Sequence, residues 1–147
     1  MEVYFSISAG FTLHPRALYC YNIKNDLLDR SELAGVAPRY YLKSAYLDGD
    51  GSLEMWGRYN AFGNYKEDIP YTDASAWAIV YKNDLKFLFK PIEFRGYTSI
   101  VNIHLLGEYP DRTLLVDRNN RSKHDSIENE LILVSAEGEI LQRKAMG

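Results

Sequence analysis

The chain has 147 residues, of which 46% are apolar, 25% charged and 14% aromatic. That is the size of one globular domain, and the aromatic content is too high for intrinsic disorder. With 17 Lys+Arg against 20 Asp+Glu the net charge is −3, which argues against nonspecific binding to a nucleic-acid backbone. Apolar runs such as Ala74–Tyr81 fall far short of the roughly 18–20 residues that cross a bilayer. No basic stretch precedes the apolar start at Val3, so no signal peptide is read. Cys20 is the single cysteine and has no internal disulfide partner. The expectation is one domain over residues 1–147, cytoplasmic and without a membrane partner.

Over Glu2–Ser8, Val3, Phe5 and Ile7 alternate with Tyr4, Ser6 and Ser8, the period of a half-buried strand. Ala17–Ile23 is a second strand candidate. Asn25 as N-cap, Asp26 in a first turn, apolar Leu27, Leu28 and Leu33, and then Gly35 and Pro38 predict a short helix. Tyr40–Leu47 and Ser52–Tyr59 flank Asp48-Gly49-Asp50-Gly51 and predict a hairpin. Pairing Leu47 with Ser52 puts Tyr40, Leu42, Ser44 and Tyr46 on one face with Leu53, Met55, Gly57 and Tyr59. Tyr41, Lys43 and Ala45 then share the other with Glu54, Trp56 and Arg58, and Lys43 lies opposite Trp56 within reach of a cation–π contact.

Ala76–Tyr81 and Leu85–Lys90, joined across Lys82-Asn83-Asp84, read as a second hairpin. The positions Ala74, Trp77, Ala78, Tyr81 and Leu85 also fit a helical period, but Trp77, Ile79, Val80 and Tyr81 favour the strand. Tyr97–Leu106 and Arg112–Asp117 are further strands. Glu130–Ser135 and Glu139–Arg143 close the chain as a third hairpin around Ala136-Glu137-Gly138. The fold class is α+β or mainly β: an antiparallel sheet or open barrel built from hairpins, with one or two short helices.

The turn at Asp48 invites comparison with a calcium loop. Placing Gly51 at the invariant glycine position, however, puts Tyr46 and Gly57 where the loop requires its first and last carboxylates. The EF-hand match fails and an ordinary turn is expected. No paired-histidine or C-x-x-C spacing occurs, so neither a metal nor any other cofactor is expected. Phosphate-cradling glycine motifs and a Gly-x-Ser-x-Gly elbow are absent too. Cys20, between Tyr19 and Tyr21, reads as an inert small hydrophobe.

Strand parity places His104 beside Asn102, away from the oilier face of Val101, Ile103 and Leu105, where a histidine can act as acid or base. His124 lies in the basic segment with Arg118, Arg121 and Lys123, the candidate phosphate binders. His14 precedes Pro15 in a loop. The strongest signal is compositional: Trp56, Arg58, Tyr59, Phe62, Asn64 and Tyr65 mix aromatic anchors with adaptable polar groups, as interface hot spots do. Tyr41 and Lys43 adjoin them on the hairpin. The alternative is that Tyr59, Phe62 and Tyr65 tuck back to cap the end of the sheet.

The leading expectation is therefore a non-enzymatic binding or inhibitor protein that recognises another protein or a small ligand through this aromatic segment. Immunity proteins and phage anti-defence inhibitors are comparable in size and charge only. A small enzyme acting on a phosphoester or nucleotide through His104 or His124 is the rival. A structural subunit of a viral or bacterial assembly, or a homo-oligomer, would also use exposed strands.

Overall fold

A computed structural model describes residues 1–7, 16–32, 37–60, 75–95, 99–108, 111–120 and 129–146. Eleven strands run through them: β1 (Glu2–Ile7), β2 (Ala17–Asn22), β3 (Leu27–Arg30), β4 (Arg39–Ala45), β5 (Glu54–Asn60), β6 (Ser75–Ala78), β7 (Ile92–Arg95), β8 (Ser99–Leu106), β9 (Thr113–Asn120), β10 (Asn129–Ser135) and β11 (Ile140–Met146). They form three antiparallel sheets, ordered β1-β2-β3, β11-β10-β9-β8-β5-β4 and β6-β7. The architecture is mainly β and open, with no closed barrel and no helix among the described residues.

The expected helix after Asn25 is replaced by β3, and Leu33 and Gly35 lie outside the described residues. The reason lies in what Asn and Asp do locally, because the side chains that cap helices also close tight turns. Asn22 Oδ1 accepts the Asn25 N–H at 3.1 Å, the Tyr21 hydroxyl donates to Asp26 Oδ1 at 2.7 Å, and Asp26 takes φ +53°. The chain therefore reverses, and Leu27 pairs with Asn22.

The β4–β5 hairpin keeps the expected register from Ala45↔Glu54 through Lys43↔Trp56 to Leu42↔Gly57. A bulge then shifts Arg58 onto Arg39 rather than Tyr41. Pro38 packs on Gly57 at this irregularity: a Cβ on Gly57 would fall 2.4 Å from Pro38 Cβ and 2.6 Å from the Tyr41 carbonyl oxygen. The pairing holds, but the expected environment does not. Trp56 is 2% exposed and donates its indole N–H to the Ile103 carbonyl at 3.1 Å. Lys43 lies over the Tyr41 ring instead, 5.0 Å from its centre.

The strand reading of Ala76–Tyr81 prevails over the helical one, with a change of partner. β6 pairs with Ile92–Arg95, while Tyr81 bridges to both Met55 and Phe87. The reversal at residues 82–86 is therefore real, but it does not extend into a full Leu85–Lys90 strand. β8, β9 and the closing β10–β11 hairpin occur where alternation predicts them, and Gly138 supplies the positive φ of the last turn. One core joins the sheets: Leu18 of β2, Tyr59 of β5, Ile79, Val80 and Tyr81, Val101 and Ile103 of β8, Val116 of β9 and Ile132 of β10 are all fully buried.

Candidate functional site

Alternation along β8 and β9 separates two chemistries. Val101, Ile103, Leu114 and Val116 point into the core, which leaves Asn102, His104, Asp117 and Asn119 on the opposite face. Asn102 and Asp117 are direct cross-strand partners, so the Asp117 carboxylate sits among neighbours able to donate to it. Its Oδ1 accepts from Asn102 Nδ2 at 3.2 Å and from Asn119 Nδ2 at 2.7 Å. Its Oδ2 lies 2.5 Å from His104 Nε2. A carboxylate only accepts, so Nε2 carries the proton of this contact.

The network continues across the sheet. The Tyr41 hydroxyl of β4 donates to Asn102 Oδ1 at 3.4 Å, and Lys43 covers the Tyr41 ring. Burial raises the Tyr41 hydroxyl above the ordinary phenol range; the charge of Arg58 opposes that shift and the charge of Asp117 adds to it. Arg58 is half-buried. The His104 side chain is 45% exposed and that of Asp117 22%, so the pair lies on an open sheet face rather than at the floor of a cleft. Among the described residues two cavities border Asn83, one lined by Tyr4, Leu42 and Met55 and another by Glu2, Cys20 and Asp29.

The structure brings together Tyr41, Lys43, Arg58, Asn102 and His104 from among the residues singled out in the sequence. It separates others. Trp56 and Tyr59 are core side chains that present almost no surface, with the Tyr59 hydroxyl donating to the Ile79 carbonyl at 2.9 Å. Arg118 turns inward, 6% exposed, donating to Ser99 Oγ at 3.3 Å and standing 3.8 Å from Glu130 Oε2. It is thus on the far side of β9 from His104 and offers no phosphate contact there. Phe62, Asn64, Tyr65, Arg121, Lys123, His124 and His14 lie outside the described residues. Sequence reasoning missed Asp117 and Asn119. Alternation along β9 puts them on one face, but only the β8–β9 register shows that this face meets His104. No protein-family model, no curated protein and no solved structure matches this chain.

Proposed function

We propose that the chain is a non-enzymatic binding module, of the inhibitor kind, that recognises another protein through the mixed face of β4, β5, β8 and β9. The observation that supports this reading is the Asp117 hub, which fixes Asn102, Asn119 and His104 on an open face. Side chains already held by hydrogen bonds lose little rotamer freedom when a partner arrives. Tyr41 adds an amphipathic ring, and Lys43 and Arg58 add cationic groups suited to acidic or carbonyl-rich surfaces. The test is capture of interacting proteins with the tagged chain, compared with Tyr41→Ala, Arg58→Ala and His104→Ala, each first shown to melt like the parent. A partner lost from these variants but kept by Arg143→Ala, on the far edge strand, supports the face. Truncating a central anchor should weaken binding by roughly 30-fold or more.

A second reading follows from the 2.5 Å contact of His104 with Asp117, since a carboxylate that orients an imidazole is how a general base is prepared. On that reading His104→Ala would lower phosphoester or nucleotide turnover by roughly 10²–10⁴-fold. The openness of the face weighs against it, because catalysis works best where water is excluded.

A further inference from the structure

The turn joining β4 to β5 carries Asp48, Asp50 and Glu54, whose carboxylate oxygens lie within 4.8 Å of one another. Oxygens bound to one calcium-class ion at about 2.4 Å can be no further apart than about 4.8 Å, a limit that every pair of the three meets. Each carboxylate uses one oxygen to hold the backbone. Asp48 Oδ1 accepts the Asp50 N–H at 3.0 Å, Asp50 Oδ1 the Ser52 N–H at 2.7 Å, and Glu54 Oε2 the Leu47 N–H at 2.6 Å. Glu54 distinguishes this turn from an ordinary acidic surface, because it is 0% exposed and its Oε1 has no hydrogen-bond partner. A buried carboxylate oxygen without a donor is costly unless a cation or proton meets it. Lys82 is a nearby cation, with Nζ 3.7 Å from Asp48 Oδ2 and 3.6 Å from Asp50 Oδ2. One ammonium against three carboxylates leaves negative charge over.

We propose that this turn is a divalent-cation site of the calcium class, in which Asp48, Asp50 and Glu54 supply the protein oxygens and Lys82 is the built-in competitor. Failure of the EF-hand spacing does not bear on it, since the three ligands come from a hairpin turn and the first residue of β5.

The experiment is calorimetric titration of the EDTA-treated, desalted full chain with calcium chloride, paired with thermal melts, on the parent, Asp50→Asn, Glu54→Gln and Lys82→Ala. Saturable binding is expected, with Tm raised by about 4 °C at tenfold excess over Kd. Asp50→Asn, at an exposed position, should weaken binding at least tenfold, and Lys82→Ala should tighten it. Two results would overturn the proposal. One is no saturable heat and no Tm change at about 10 mM calcium in both the parent and Lys82→Ala. The other is binding unchanged in Asp50→Asn and Glu54→Gln, which would place the ion elsewhere.

Discussion

β5 and β11 are both seven-residue strands of the same sheet, yet one is interior and the other bare. In β5 Glu54, Met55, Trp56, Gly57 and Tyr59 are buried, whereas every residue of β11 is exposed, including Ile140 at 44% and Leu141 at 49%. Composition does not separate them, since each mixes apolar, charged and amide side chains. Position does. β5 pairs with β4 along one edge and, along the other, with β8 at Tyr59 and Asn60 and with Tyr81 at Met55; among the described residues β11 pairs with β10 alone. A strand's place in the sheet therefore governs how much each side chain is worth, and the comparison can be tested strand by strand.

The largest effect is expected at Tyr59. Tyr59→Ala should cost about 3–5 kcal/mol in urea unfolding, because it empties a fully enclosed volume. It also strips the Ile79 carbonyl of its donor. Gly57→Ala should cost about 1–3 kcal/mol by the same measurement, since the added methyl meets Pro38 and the Tyr41 carbonyl with no flexible side chain to yield. A Gly57→Ala protein as stable as the parent would show that the bulge relaxes freely.

Alkali should probe the same interior. Burial holds the Tyr59 and Tyr81 hydroxyls above the ordinary phenol range. Below about pH 10 both folded and unfolded chains keep these protons, and stability is undiminished. Above it only the unfolded chain releases them, so stability should fall by about 1.4 kcal/mol per pH unit for each group. Tyr59→Phe should flatten that slope, followed by tyrosinate absorbance during unfolding. The smallest effect belongs to β11, where Leu141→Ser should change stability by no more than about 0.5 kcal/mol. A larger loss would mean that the bare strand is covered in solution, and sedimentation would then show a larger particle.

Where a local device fixed the geometry, the sequence was readable. The Gly-rich run at Asp48–Gly51 set the β4–β5 register, and alternation alone put Asn102 beside His104. What escaped depended on layers not encoded nearby. Parity correctly grouped Trp56 with Lys43, but parity cannot say that one lies under cover and the other in water. The bulge near Arg39 arises from Pro38 meeting Gly57, nineteen positions apart in number. Asp117 became visible as a hub only through cross-strand pairing. Asn25 and Asp26 misled because cap and turn draw on the same side-chain chemistry.

The Tyr4 hydroxyl, which donates to the Asn83 carbonyl at 2.7 Å across a separation of 79 residues, has a kinetic consequence. Closing a loop of that length costs about 4 kcal/mol of chain entropy on a (3/2)RT ln n scale, more than one hydrogen bond returns. The contact therefore cannot nucleate anything and must wait until the turn at residues 82–86 is already held. β1, β2 and β3 pair with near neighbours in sequence and can form early, but they join the main body late. By the same reasoning they are the first part to let go, which makes amide exchange in β1 a sensor of local opening well below global unfolding.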